Sequence, residues 1–278
     1  MLTTVEWSHR IAPMNDTRLW YRSFCLVVVV FFLVLSAGRA ALAQRPFLVT
    51  ERATPTSKGE YKIQSSLSLG RHSASRQITA LELDVRHGPL YDLEVGIQAP
   101  YLFAEEGDAH ENQVGDLLLR TKIRFLRGRE ANPLSIAGQI VVKIPSAGRD
   151  DILKTTGEAD VGLFGLASKG WDALTTHANM GYVFLGNPVG GEKADELRYA
   201  LGLEIRTADP LLSWIGELFG SAQIGDPTST GPWQLMGGVV YQAEDDIALD
   251  ASAAFGLTRE APDFMVNLGV TYLLPGRR

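Results

Sequence analysis

Three observations predict an all-β fold for this chain of 278 residues, a transmembrane, antiparallel, up-and-down β-barrel of about twelve strands behind a cleaved signal peptide. The first is alternation over 115–145. Leu117, Leu119, Ile123 and Phe125 share one face while Arg120, Lys122 and Arg124 share the other, and Leu134, Ile136, Ile140, Val142 and Ile144 repeat the pattern opposite Ser135, Ala137, Gln139 and Lys143. A period of two is a strand, and the short link between the runs makes a hairpin. Three charges on one strand face are too many for a sandwich interior, so that face is wet and the aliphatic face must be covered by a second sheet or by lipid. The second observation is that the links between runs alternate in length, and the third is the leader at the N-terminus.

In chain order, Arg18 and Arg22 precede an uncharged run from Phe24 to Ala37, and Ala41-Leu42-Ala43 follows. This is a basic region, an apolar region and an A-x-A site, which predicts a signal peptide over 1–43 cut after Ala43. The apolar run is shorter than the ~20 residues of a spanning helix. Met1 and Met14 are both candidate starts. Residues 44–59, rich in Thr, Pro and Arg without periodicity, are expected to form a periplasmic lead-in.

The barrel is expected over 60–274, with 275–278 as a tail. Tyr61, Ile63, Leu67 and Leu69 mark the first run, Leu81, Leu83 and Val85 the second, and Tyr91, Leu93, Val95 and Ile97 the third. The hairpin of 115–145 supplies the fourth and fifth. Val161, Leu163 and Ala167 form a weak sixth run, and Met180, Tyr182 and Phe184 a seventh. Leu197 to Ile205 is the eighth, with Tyr199, Leu201 and Leu203 between. The ninth spans 211–224 with Trp214 and Leu218 out and Glu217 and Gln223 in; the tenth holds Trp233, Leu235, Val239 and Tyr241. Ile247, Leu249, Phe255 and Leu257 mark the eleventh, and Phe264 to Leu274 the twelfth. Each run is near the 9 to 11 residues that cross a bilayer at a tilt. Links after the even-numbered runs are tight (HGP, LRGREANP, KGWD, TADP, AEDD), and those after the third, fifth and seventh are long and polar. A soluble sandwich has no reason to sort its loops by parity, whereas outer-membrane barrels place short turns in the periplasm and long loops outside. Aromatic residues near the strand ends (Tyr101, Phe103, Trp171, Trp214, Trp233, Tyr241, Tyr272) suit the two bilayer interfaces.

Removal of 1–43 takes away four basic and two acidic residues, leaving 22 and 30 and a net charge of −8. That balance excludes a nucleic-acid partner. The single cysteine, Cys25, leaves with the leader, so the mature chain has no disulfide, thiolate metal site or thiol chemistry.

With the aliphatic face outward, the lumen candidates are Lys62, Glu82, Asp84, Arg86, Asp92, Glu94, Arg120, Lys122, Arg124 and Lys143. Acids on the second and third strands then lie beside bases on the first and fourth. Two readings stay open: a pore constriction whose opposed charges orient a small solute, or an interior filled with ion pairs that conducts nothing. The acidic stretch from Glu105 to Glu111 has ligand types suited to divalent ions but no EF-hand spacing, and reads as a solvated loop. His177 and Asn179 share a face in the manner of outer-membrane phospholipases, but the adjoining serine of their motif is absent. His72, His87 and His110 have no metal-ligand spacing, and 186–191 is a turn and not a phosphate loop. No enzyme, metal or cofactor is expected.

Residues in the middle of the chain resemble the outer-membrane transporter family associated with the meta-pathway of phenol degradation. Gly115-Asp116-Leu117 with Lys122, then Val142 to Ser146, Gly157 to Asp160 and His177 to Tyr182 carry the likeness, with Gly256-Leu257-Thr258 and Ala261 to Phe264 as its last hairpin. It spans most of 60–274. The resemblance implies an outer-membrane address and uptake of aromatic compounds. It differs at the end, where members close on an aromatic strand terminus and this chain runs through Leu274 to Arg278. The expected function is therefore passive diffusion of small solutes, aromatic or hydrophobic compounds among them. The alternative is a non-conducting structural or surface-interaction barrel, and a lipid-modifying enzyme comes third. Expected partners are outer-membrane lipid and lipopolysaccharide, the barrel-assembly machinery during biogenesis and a small-molecule solute.

Overall fold

A computed structural model describes residues 49–73, 76–130, 132–147, 157–186, 195–224 and 231–276. The expected leader, the first residues of the lead-in and much of the fifth and seventh links lie outside these. Among the described residues thirteen strands form one sheet: β1 Tyr61–Ser73, β2 Arg76–Leu90, β3 Leu93–Glu106, β4 Ala109–Val114, β5 Leu117–Leu126, β6 Leu134–Ile144, β7 Asp160–Trp171, β8 Leu174–Phe184, β9 Glu196–Arg206, β10 Leu212–Gln223, β11 Gln234–Glu244, β12 Ile247–Gly256 and β13 Phe264–Leu274. All pairings between strands are antiparallel, and the wall closes where β1 meets β13, with Tyr61 opposite Leu274 and Arg71 opposite Phe264. Closure removes the sheet edge, whose unpaired backbone groups would each cost several kcal/mol in hydrocarbon.

The wall has twelve strands. The extra element, β4, falls in the link read as a solvated loop, and it pairs only with β3, from Tyr101 opposite Val114 to Glu106 opposite Ala109. β3 then pairs with β5 from Gln98 opposite Leu118, a register shifted by one residue. β4 and β5 are therefore one strand interrupted by a bulge at Gly115-Asp116, and Pro100, which has no N–H to donate, sits on β3 at the interruption. With β2 and β3 running 15 and 14 residues, this hairpin rises beyond the ~9 to 11 residues a bilayer needs.

Outward positions carry Leu83, Ile97, Ile123, Ile140, Leu163, Met180, Leu201, Leu235 and Leu268, all exposed, and Phe125 is 73% exposed. Rows of this kind on every side exceed the few hundred Å² of apolar patch that a soluble monomer shows, so the surrounding solvent is lipid. Aromatic pairs mark the long-loop rim (Tyr101 with Phe103, Tyr182 with Phe184, Tyr199 with Trp233, Phe255 with Phe264), and Tyr61 stacks on His87 at the short-turn rim. Short turns after β2, β5, β7, β9 and β11 place that rim in the periplasm.

Inward positions differ around the wall. From β1 to β6 they are mostly charged or amide, whereas from β9 to β13 Ala200, Ile215, Phe219, Met236, Val240, Ala248, Ala254 and Leu273 form one buried apolar cluster. That side also buries Glu204, Glu217, Gln234, Gln242, Asn267 and Thr271, so it is mixed where the first half is mostly ionic, and its apolar cluster is not among the sequence expectations.

Candidate functional site

The lead-in of 44–59 was expected outside the barrel; its described part, from Val49 onward, runs inside the lumen instead. The cause is visible from the periplasmic end upward. Gly59 N–H donates to Gly88 O at 2.7 Å and Gly88 N–H donates to Glu60 O at 3.1 Å, so the segment enters as a partner of the β2 end. A Cβ on Gly88 would stand 2.3 Å from Ser57 O, so only glycine permits this approach. Thr56 donates both its N–H and its hydroxyl to Glu94 Oε2, each at 2.7 Å. Ala53, fully buried, donates its N–H to Ser168 Oγ at 2.9 Å. Arg52 pairs with Glu204. Val49 N–H at 3.0 Å, Thr50 N–H and the Thr50 hydroxyl at 2.7 Å all converge on Glu217 Oε1. A segment without periodicity cannot satisfy its backbone groups by itself; here wall side chains satisfy them.

Glu51 is the centre of the arrangement. Its Oε2 meets Arg86 Nη1 at 2.6 Å and Lys122 Nζ at 3.1 Å, and its Oε1 meets Arg86 Nη2 at 2.8 Å and Arg120 Nη1 at 3.0 Å. The cations are held from behind. Arg86 binds Asp84 at 2.7 Å and Glu94 at 3.5 Å, Lys122 binds Glu94 at 3.2 Å, and Arg120 binds Asp84 at 3.4 Å and also Gln98. Lys122 is 1% exposed; a buried ammonium with two carboxylates in contact is the arrangement that offsets its desolvation.

Seven of the ten lumen candidates converge at this height: Asp84, Arg86, Glu94, Arg120 and Lys122 in the ion-pair cluster, with Lys62 and Glu82 beside it on the same cavity. Three do not. Asp92 was placed in the lumen, but β3 begins only at Leu93, so Asp92 lies in the turn after β2 and binds Arg124 at 2.8 Å and Arg127 at 3.0 Å. Hydrogen bonds from Arg127 and Arg124 hold its carboxyl below the usual carboxylate range. Arg124 accordingly marks the periplasmic rim. Lys143 stands at the opposite rim, bridging Asp160 at 2.7 Å and Asp116 at 3.5 Å, and so ties the bulge to β6 and β7.

Above Glu51 lies a cavity of about 280 Å³, whose wall includes Leu118, Val141, Phe164, Tyr199 and Ala200 as well as the ions. Phe164 points inward yet leaves the space open, because its ring lies over two glycines. A Cβ on Gly181 would be 2.1 Å from Phe164 Cδ1, and one on Gly162 2.5 Å from Phe164 Cε2.

His177 does have a serine in reach, contrary to what its own strand suggests. Ser168 comes from the neighbouring β7, and its Oγ lies 2.8 Å from His177 Nδ1. The same oxygen accepts the Ala53 N–H, so both residues anchor the inserted segment. Glu51, Arg52, Thr56, Glu204 and Ser168 are not among the sequence candidates, and the local signal within the segment is an ionic Glu51-Arg52 pair in an otherwise Thr- and Pro-rich stretch. Among the described residues no group of His, Cys, Asp and Glu is placed to hold a metal ion.

Residues 54–274 match the model of a family described as "Putative MetA-pathway of phenol degradation". The chain belongs to that family. No curated protein matches the sequence. Among solved structures, the COG4313 outer membrane channel from Pseudomonas putida F1 superposes with a TM-score of 0.60 at 16% identity, covering 86% of this chain and 100% of that one. NanC porin reaches 0.56 at 9% identity and KdgM porin 0.50 at 9%, each covering 76% of this chain and 98% of the porin. These likenesses are of fold, and with the lipid-facing wall they make the family member an outer-membrane barrel.

Proposed function

We propose that the chain passes small solutes, aromatic or other hydrophobic compounds among them, across the outer membrane by passive diffusion. The observation that carries this reading is the mixed lining of one cavity: the ion-pair groups and the apolar side chains Leu118, Val141, Phe164 and Ala200 face it beside a segment held by hydrogen bonds and ion pairs and not by a covalent link. Charged groups orient the polar end of a solute while the apolar wall accepts its body. In this reading Lys62, Glu82, Asp84, Arg86, Glu94, Arg120 and Lys122 form the constriction, and residues 49–58 are a plug that must shift for passage. Ser168 and His177 are plug anchors and not a nucleophile with its base, since the hydroxyl is already bonded to the plug backbone. The family description favours aromatic solutes. Lipid and lipopolysaccharide surround the wall, and the barrel-assembly machinery inserts it.

The density of plug contacts favours a second reading, a barrel that stays shut and serves a structural or surface role. Planar-bilayer recordings with the purified barrel, together with liposome swelling, separate the two. Discrete conductance steps and solute-dependent swelling are expected; the absence of both, in wild type and in a variant lacking the Glu217 anchor, defeats the solute path.

A further inference from the structure

The groups that hold Glu51 form a complete carboxylate site. Both carboxylate oxygens receive two charged donors each, at 2.6 to 3.1 Å, from Arg86, Arg120 and Lys122. Arg86 supplies a bidentate fork, the geometry that distinguishes a planar carboxylate from a spherical anion. All three donors belong to the wall, on β2 and β5, whereas the carboxylate belongs to the plug. The partners are thus separable, and the wall site exists whether or not Glu51 fills it.

Charge balance says what else fits. Around Glu51, Lys62, Arg86, Arg120 and Lys122 face Glu82, Asp84 and Glu94, while Arg198, also on the cavity, is paired with Glu196 at 2.8 Å, so the wall carries one positive charge in excess, and Glu51 brings the cluster to neutrality. A buried excess charge is costly unless paired, so the site calls for a monoanion; a dianion would overshoot. The 280 Å³ cavity opens directly on Glu51 and adds Leu118, Val141 and Phe164 to its wall, close to the ~300 Å³ at which small-molecule sites begin. An ionic floor for one carboxylate and an apolar chamber above it describe a small aromatic or aliphatic acid.

We propose that Arg86, Arg120 and Lys122 form a binding site for the carboxylate of a small organic monoacid, and that Glu51 is the built-in competitor which the solute displaces. This rests on the reading of the lumen as a solute path and names the solute class. A solute that takes the site removes the ionic anchor at the centre of the plug and keeps the wall neutral, so binding and unplugging are one exchange. A neutral or cationic analogue has no such exchange available.

The test is equilibrium binding of benzoate, with benzamide as the neutral isostere, to the detergent-purified barrel, in wild type, Glu51→Ala and Glu51→Gln, with circular dichroism confirming the barrel in each. Both variants remove the competing charge, so benzoate should bind them at least ~10-fold tighter than wild type, by the fraction of sites that Glu51 otherwise occupies, while benzamide binds all three weakly and alike. Acetate, which replaces the missing side-chain carboxylate, should raise the melting temperature of Glu51→Ala, and acetamide should not. Equal affinity for benzoate and benzamide, benzoate affinity unchanged by both substitutions, or tighter binding of inorganic phosphate than of benzoate would each overturn the proposal. Conductance is read separately. A barrel that conducts without preferring benzoate loses the site and keeps the path, whereas one that binds benzoate as expected but never conducts keeps the site and loses the path.

Discussion

Replacing Glu217 by Ala should release the inner end of the plug while leaving the barrel intact. Glu217 is 2% exposed, and its Oε1 accepts from Val49 N–H, Thr50 N–H and the Thr50 hydroxyl. A hydrogen bond to a charged group is worth roughly 1.5–3 kcal/mol. Three donors on one oxygen are not additive, and the freed groups regain water from the cavity. The plug-docking equilibrium should therefore lose about 2–4 kcal/mol, a factor of roughly 30 to 1,000. The strand itself loses little, because Gly216, Glu217 and Leu218 keep their ladder pairings with β9 and β11. Cys25 is the single cysteine of the sequence, so in a Cys25→Ser background a spin label on Val49→Cys reports the segment cleanly, since that position uses only its backbone N–H. The label should be immobile in the otherwise unchanged barrel and mobile with Glu217→Ala, and open-channel conductance should rise in parallel. An immobile label with unchanged conductance would refute the argument that Glu217 holds the plug.

Gly88→Val places a Cβ against Ser57 O and should dislodge the plug at its periplasmic entry, seen as higher conductance in a barrel whose circular dichroism is unchanged. Gly181→Ala should act in the opposite sense, pushing the Phe164 ring into the cavity and lowering solute flux in liposome swelling. Arg120→Glu reverses a charge on the path and should shift the reversal potential toward cations; an unaltered value removes Arg120 from the constriction. Asp92 is depressed by its arginine partners, so its contribution to stability is present above the ordinary carboxylate pKa and is lost as pH falls through the lowered one. Asp92→Asn should therefore flatten the acid side of a melting-temperature profile, and only slightly, because the pair is exposed and screened by salt.

The wall was legible because lipid enforces a rule at every position. An ionisable side chain facing hydrocarbon is expensive, so along β5, β6 and β9 every charged residue sits on an inward position and most outward ones are apolar. Where the rule relaxes, reading fails. In β12 the inward residues are Ala248, Ser252 and Ala254 beside Asp250, and in β10 Ile215 and Phe219 turn inward as readily as Trp214 and Leu218 turn outward. Periodicity locates those strands but cannot say that their lumen side is oily. β4 was missed for a related reason: above the bilayer both faces are wet, so a run such as Ala109–Val114 carries no alternation, and Gly115-Asp116 looks like a loop although it is a one-residue bulge.

The plug was hidden by a different physics. Its conformation is set by partners that lie 35 to 168 residues away, from Glu51 with Arg86 to Val49 with Glu217, and no local pattern encodes a contact of that range. What the sequence does carry is a mismatch. Lys62, Arg86, Arg120 and Lys122 outnumber Glu82, Asp84 and Glu94 on inward positions of neighbouring strands, and a closed wall cannot leave such an excess uncompensated where water is scarce. The missing negative charge has to come from outside the wall, either from a solute or from a stretch of chain able to reach in. Glu51, ten residues before the first strand and bracketed by threonines that bond to whatever surrounds them, meets that requirement, which makes an unbalanced ring of inward charges the sequence-level sign of an occupied lumen.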